Sequence, residues 1–440
     1  MAAEGAAPPK PRVVIVGGGA GGLELATRLG RTLGRPGQAE VTLVDRSPTH
    51  LWKPRLHEVA AGLLNSSEDE ISYAAQAFAH GFHFALGPMA GLDPERREVL
   101  LGPVREAESG AEILAARRIG YDLLVLAVGS RVNDFDTPGV ARFCYLLDDP
   151  IQANRLHRAF LARAFQVQMG AADRLRVAIV GAGATGVELA AELHHAVYEL
   201  RAYGGLLSPD KLDVTIVDLA GRVLPAVGQT IADYALEELR RRRIQVVLGM
   251  RVVAVTGDAL HLSDGQAIPA DIKVWASGVK GHDFIAACPG LRCTPGNQIK
   301  VDETLRCVGG DRIFALGDCA QFIDPAAGAP LPPTAQAAHQ QANLLARSLP
   351  RVLRGQPPLP FRFRYRGTLV SLGKGQAVGD LPSFRRDRGQ GLHLRGYGAK
   401  FLYVSLYRMH LAALHGWPRT CALLLSQMLR RSTRPPVKLH

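Results

Sequence analysis

VVIVGGGAGGLELATRL, residues 13–29, is an apolar run, a glycine cluster and a helix pattern in immediate succession. Four β-branched residues in a row fit a strand buried on both faces. Gly17, Gly19 and Gly22 fall in the spacing G-x-G-x-x-G. Between a strand and a helix that spacing has a mechanism. The first glycine permits the tight turn, the second lets a pyrophosphate approach the backbone, and the third lets helix and strand pack closely. The helix N-terminus then offers N–H groups and partial positive charge to the phosphates. Further on, VTLVDR (41–46) reads as a second buried strand ending in Asp45, a carboxylate that would accept hydrogen bonds from a ribose diol.

The pattern then restarts. RVAIVGAGATGVELAAEL (176–193) carries Gly181, Gly183 and Gly186 in the same spacing, and VTIVDLAGRVLP (214–225) contains a strand ending in Asp218. Two further apolar strands end in small residues: YDLLVLAVGS (121–130), which reaches Gly129, and IKVWASGV (272–279), which reaches Gly278. The repeat has a period of about 165 residues and describes a βαβ dinucleotide fold used twice. The predicted class is α/β with two Rossmann-like domains. Two dinucleotide sites in one chain suggest a flavin and a nicotinamide. Asp218 would repel a 2′-phosphate and so favours NADH, while Arg222, four residues on, keeps NADPH open as a minor alternative.

Composition narrows the field. A chain of 440 residues has room for two or three domains. The six cysteines are scattered, with no C-x-x-C and no zinc spacing, so no metal site is expected and a reducing compartment is the default. The opening MAAEGAAPPKPR has no apolar signal core. The net charge of +12 is not evenly spread: residues 351–440 hold 17 Lys/Arg against 2 Asp/Glu. A basic tail points to a local anionic partner.

RIFALGD (312–318) is one more strand, and PPTAQAAHQQA (332–342) follows it. Thr334 is a good N-cap, and Gln336 and Gln340 share a helix face at i, i+4. That face is thin, neutral and able to hydrogen-bond. On its own it suits a solvated helix surface better than a ligand site.

Together these motifs make the chain similar to the two-dinucleotide-binding-domain flavoproteins, with a glutathione-reductase-like arrangement. Within them it most resembles the type II NADH dehydrogenases, the non-pumping NADH:quinone oxidoreductases. The resemblance covers nearly the whole chain, and AQAAHQ (335–340), similar to the quinone-site motif A-Q-x-A-x-Q, is its most specific part. It implies that FAD binds the first loop and NADH the second, and that the second domain is inserted in the first. It implies the domain limits 10–150 and 296–385 for the FAD-binding domain, 151–295 for the NADH-binding domain and 386–440 for a membrane-docking region. Further implications concern single residues. Asp318, beside Gly317, contacts the flavin; THLWKPRLHEVAAG (49–62), with Lys53, runs beside it; Ala335 and Ala337 leave room for a quinone ring. Gln336 and Gln340 bond the quinone carbonyls, the helix N-terminus faces the flavin pyrimidine edge, Glu188 lies near the nicotinamide, and Lys374 lies near quinone and flavin. The implied reaction is hydride transfer from NADH to FAD, then transfer of two electrons to a membrane quinone. His57 and His339 are possible proton relays by type, though each is more often a satisfied histidine; Trp275 reads as packing.

The tail segment KFLYVSLYRMHLAAL (400–414) places Lys400, Ser405 and Arg408 on one helical side and Leu402, Leu406, Met409 and Ala413 on the other. TCALLLSQMLRR (420–431) adds an apolar patch. Neither reaches the about 18 apolar residues of a spanning helix, so both read as interfacial helices on anionic lipid, with a homodimer interface as the competing reading. The resemblance implies a peripheral protein on the cytoplasmic face of a bacterial inner membrane. No nucleic-acid motif is present, and no nucleic-acid partner is expected. Two other functions compete: a related reductase acting on a protein carrier or sulfide, and a flavin- and NADH-binding sensor.

Overall fold

The computed structural model describes residues 9–106, 109–200, 207–373, 375–381, 392–431 and 437–438, with the side chains of Leu392 and 427–431 outside the description. The chain divides into two compact units. The first comprises Met1–Trp52, Glu70–Arg131 and Lys280–Arg364; the second comprises Lys53–Asp69, Val132–Val279 and Tyr365–His440.

The first unit is built on a parallel five-stranded sheet in the order Ile313–Ala315, Leu123–Leu126, Arg12–Val16, Glu40–Asp45, His83–Leu86. The central strand is covered on both faces, as its β-branched run requires; Val13, Val14, Ile15 and Val16 are all buried. Helix α1 (Ala20–Leu29) follows it and packs against helix α5 (Ala335–Leu353).

The second unit repeats the plan with the order Tyr145–Leu146, Ile272–Trp275, Leu175–Val180, Leu212–Asp218, Gln245–Leu248, again parallel throughout. Its helices include α2 (Leu56–Ala60), α3 (Pro150–Gln168) and α4 (Ala184–Leu200), with α2 packed on both α3 and α4. An antiparallel sheet of Thr368–Ser371, Ala377–Leu381 and Leu392–Arg395 leads into α6 (Gly396–His415) and α7 (Trp417–Arg431).

The two compact units differ from the expected limits of 10–150, 151–295, 296–385 and 386–440 in three respects. Residues 53–69 belong to the second unit, which also begins at Val132 and ends its central part at Val279. Residues 365–440 join that same unit and do not form a region of their own. The reason is chemical. Arg55 and Glu58 are an ion pair at 2.6 Å, Arg55 also stacks over the Tyr407 ring at 4.7 Å, and Lys400 reaches the buried Ser371. These polar groups are satisfied only inside the second unit.

Candidate functional site

The two glycine loops are near copies, atom by atom. Gly17 N donates to Val44 O and Gly181 N to Val217 O, each at 2.8 Å. Gly18 N donates to Asp45 Oδ2 at 2.6 Å, and Ala182 N makes the matching bond to Asp218 Oδ2. The first glycines need left-handed backbone, with φ of +103° at Gly17 and +115° at Gly181. A Cβ at Gly22 would collide with the Gly17 carbonyl, and one at Gly186 with the Gly181 carbonyl. A Cβ at Gly19 or Gly183 would meet nothing within 4 Å. Thus the first and third glycines serve the fold, while the second leaves open space beside a helix start. No side chain caps α1 at Gly19, so its first N–H groups are left for an anion.

Asp45 and Asp218 hold these loops through both carboxylate oxygens. Asp45 Oδ1 accepts from Ser47 N at 2.8 Å, and Asp218 Oδ1 from Ala220 N at 2.7 Å. Burial raises the Asp45 carboxyl above its ordinary range, against the lowering effect of the Ser47 and Gly18 N–H bonds. Tyr73, which the sequence did not single out, donates its hydroxyl to Gly18 O at 2.8 Å and seals the back of the first loop.

Three further pieces of the first unit converge on that loop. Gly317 has φ +72° and sits 3.6 Å, measured from an ideal Cβ, from the Ala338 methyl. Its N–H donates to Gln341 Oε1 at 2.7 Å. Asp318 Oδ2 accepts from Ser130 Oγ at 3.0 Å, and its carbonyl accepts from Gln298 Nε2 at 3.1 Å. Gly21 of α1 abuts Leu316 and Ala338. The Gly17 loop, the Gly317–Asp318 turn and the first turn of α5 are therefore neighbours. Gly129, at φ +72°, adds a position where a Cβ would meet nothing within 4 Å. This cradle fits a dinucleotide: open space at Gly19 and Gly129, free N–H groups at α1, and carboxylates at Asp45 and Asp318.

Thr334 caps α5 as expected, accepting from Ala337 N at 3.2 Å. Ala335 and Gln336 are half-buried on the first turn, which carries no acidic residue. Gln340, expected to bond a quinone carbonyl as well, is engaged within the protein. Its Nε2 donates to Arg364 O at 2.8 Å and its Oε1 accepts from Arg364 N at 2.9 Å. A side-chain amide matched to a peptide unit makes it a strap for residue 364. His339, in the same motif, is engaged too: its Nδ1 lies 2.6 Å from Oε2 of Glu24, whose side chain is 0% exposed.

In the second unit, Glu188 lies one turn into α4 and is buried. Ser371 N donates to its Oε1 at 2.9 Å, and His57 Nδ1 is 3.4 Å from its Oε2. Burial raises the Glu188 carboxyl, against the lowering effects of His57 and the Ser371 bond. Lys53, expected beside the first cofactor, falls in this unit and pairs with Asp148 at 3.3 Å. Arg222 bonds Gln229 Oε1 at 3.1 Å and Pro225 O at 2.7 Å, so its guanidinium is held by its own loop. Gly278 has φ +66° beside the Phe135 ring, and Trp275 is buried with its Nε1 bonded to Asn133 O at 2.8 Å. Lys374 lies outside the described residues.

All six cysteines are free thiols. Cys319, next to Asp318, is fully buried, and burial pushes it up to about 12. Cys144 is likewise pushed up to about 12 by burial. A thiol held that far from ionisation is a poor nucleophile.

Two Rossmann-type units, each with an intact phosphate loop and a carboxylate at the next strand end, define a pyridine-nucleotide flavoprotein oxidoreductase. Residues 11–342 match the family of pyridine nucleotide-disulphide oxidoreductases. The type II NADH:quinone oxidoreductase of Haemophilus influenzae is 41% identical over 97% of this chain and 99% of its own. Among solved structures, NDH2 of Plasmodium falciparum in complex with NADH superposes with a TM-score of 0.77 at 20% identity, covering 91% of this chain and 94% of that one. The sulfide:quinone oxidoreductase of Aquifex aeolicus shares the fold, with a TM-score of 0.70 at 19% identity over 92% of each chain. The chain belongs to the type II NADH:quinone oxidoreductases of the pyridine nucleotide-disulphide oxidoreductase family, which use FAD and NADH.

Proposed function

We propose that the first unit holds FAD on the Gly17 loop, Asp45 and the Gly317–Asp318 turn, that the second holds NADH on the Gly181 loop and Asp218, and that quinone is reduced at the start of α5. Bound FAD supplies the redox chemistry, taking two electrons from NADH and giving two to the quinone. The observation that carries the reading is the meeting of the Gly17 loop, the Gly317–Asp318 turn and the Thr334-capped start of α5 within one unit. That helix start brings partial positive charge and small, uncharged side chains to the cofactor cradle. Gln336 is the amide that donates to a quinone carbonyl, and Gln340 holds the neighbouring chain. Asp218, with the Arg222 guanidinium bonded to Gln229 and Pro225 of its own loop, selects NADH over NADPH.

The protein docks on an anionic membrane from one side. No helix among the described residues is long and apolar enough to cross a membrane. Tyr397, Phe401, Met409 and Trp417 of α6 and α7 are exposed large apolar residues in a segment rich in arginine. We place this face toward the cytoplasmic leaflet, with a second copy of the chain as a further partner.

The decisive test is stopped-flow flavin absorbance. NADH is expected to bleach the bound flavin, a short-chain quinone to restore it, and Gln336→Ala to slow only the second phase. Reoxidation by sulfide or a protein carrier, with none by quinone, would overturn the assignment.

A further inference from the structure

In the first unit, the short strand Ile299–Lys300 lies beside the Gly317–Asp318 turn. On one edge it pairs in parallel with Ala320–Gln321, which follow that turn. Gln298, just before it, holds the Asp318 carbonyl. Two hairpin arms share its other edge. Cys293 stands opposite Ile299, and Cys307 stands opposite Val301. In the first arm Thr294 N donates to Gln298 O and Lys300 N to Arg292 O. In the second, Asp302 N donates to Arg306 O and Val308 N to Lys300 O. Both cysteines therefore occupy non-hydrogen-bonded positions, where opposite side chains lie close on one face. Ile299 and Val301 are two residues apart and point to the same face. The two thiols share that face, with their Cα atoms about 6.4–6.8 Å apart along the strand. A disulfide spans a Cα separation of roughly 4.4–6.8 Å.

The neighbouring thiols are engaged elsewhere. Cys288 Sγ donates to Phe284 O at 3.3 Å, and Cys319 Sγ to Leu316 O at 3.2 Å. Cys293 is half-buried and Cys307 is 2% exposed, so an oxidant in solvent meets Cys293 first. Burial raises both thiols above their ordinary value. The Lys300 ammonium opposes this at Cys293, whereas the Cys319 and Cys293 thiols add to it at Cys307. Oxidation here is therefore slow.

We propose that Cys293 and Cys307 form a reversible disulfide under sustained exposure to hydrogen peroxide, and that this bond slows FAD release by pinning both arms beside the Asp318 turn. Peroxide first oxidises the Cys293 sulfur. An S–O bond forms, the O–O bond breaks, and one water leaves with the thiol proton. The Cys307 sulfur then attacks the Cys293 sulfur. The S–S bond forms, the S–O bond breaks, and hydroxide leaves with the Cys307 proton as a second water. Two electrons pass from the two sulfurs to peroxide. A dithiol reverses the bond by exchange. In a reducing compartment such bonds are transient and redox-sensing. The mechanical link reaches both sides of the turn. Gln298 belongs to the Cys293 hairpin, and Cys307 N donates to Ile313 O in the strand that leads into Gly317. Joining the arms holds the two approaches to Asp318 together. The effect on FAD rests on its proposed placement at Asp318; the bond itself does not.

The test uses the full-length FAD-loaded protein, kept in excess hydrogen peroxide for hours and digested without reductant. Peptide mass spectrometry should recover a Cys293–Cys307 cross-link, absent in Cys293→Ser and lost after dithiothreitol. A Cys288–Cys293 cross-link, or none, overturns the proposal. This mapping is made on the wild type, so a misfolded Cys293→Ser leaves it intact. FAD release is then read as the rise of free-flavin fluorescence on dilution. The oxidised wild type should release FAD several-fold more slowly, and dithiothreitol should restore the rate. Peroxide should leave the rate of Cys293→Ser unmoved. A bond that forms without slowing release overturns its action on the turn. Asp318→Ala in the reduced protein separates that failure from a wrong FAD placement. Faster release keeps FAD at Asp318 and rejects the coupling; an unmoved rate rejects the placement.

Discussion

On the proposed reading, Asp218 serves fold and specificity together. One oxygen fastens the Gly181 loop through Ala182, and the other bonds Ala220 N. Each oxygen keeps a lone pair, which in the proposed NADH site would meet a ribose hydroxyl, and the charge would repel a 2′-phosphate. Hydrogen bonds to a charged group contribute about 1.5–3 kcal/mol. Asp218→Ala should therefore raise the KM for NADH about tenfold or more and narrow the preference over NADPH, as steady-state kinetics with both nucleotides would show. An unchanged preference would mean that Arg222 governs the choice. The position was legible in the sequence, because a strand end followed by Asp is a local signal. Ser130, Gln298 and Gln341 around Asp318 were not legible. Ser130 and Asp318 are 188 residues apart, and no spacing rule joins them.

At the scale of elements, α5 was readable at its start, while the partner of Gln340 one turn later was not. The Thr334 cap follows from a local rule, whereas the Gln340 clamp depends on where residue 364 returns. Thr334→Val should cost about 1 kcal/mol of stability, measured by denaturant unfolding, and weaken flavin retention in parallel. The face of α6 was also misjudged. Helical spacing put Lys400 on one side with Ser405 and Arg408, opposite the apolar side. The structure turns it inward, because Glu192 is buried beside Ser371 and needs a cation. Burial pushes Glu192 up, but the His195 bond and the Lys400 charge outweigh that and hold it below its ordinary value. Lys400→Met should cost on the order of 2 kcal/mol, less than in a fully buried pair. Helix α2 gives the clearest acid response. Burial works against the Glu58 carboxylate, yet the Arg55 charge and hydrogen bond hold it down at about 2. Its folded value is depressed, so its contribution is complete above about 4.5 and is lost as pH falls toward 2. Urea midpoints measured down through pH 3 should fall more steeply in the wild type than in Glu58→Gln, with a span on the order of 3 kcal/mol.

For the whole molecule, the repeat told most. Two strand–glycine–helix units fixed the class because each local pattern agreed with the next. The grouping of 53–69 with the second unit was hidden, because it is decided by Arg55, Glu58 and their partners far along the chain and not by periodicity. Charge distribution, by contrast, is a property of the full sequence and supports a prediction at this scale. With 17 basic and 2 acidic residues in 351–440, the tail should be drawn to anionic lipid over a Debye length of about 8 Å at physiological salt. Each basic residue near the surface contributes on the order of 1 kcal/mol. The exposed Tyr397, Phe401 and Trp417 add apolar burial that salt does not screen. Binding to phosphatidylserine vesicles should therefore exceed binding to phosphatidylcholine by well over tenfold at low salt. The difference should collapse at high salt and leave a residual apolar component. If the vesicles bind alike at every salt concentration, the arginines of the tail face something other than lipid. If lipid binding falls as protein concentration rises, the apolar residues of α6 and α7 are shared with a second copy of the chain.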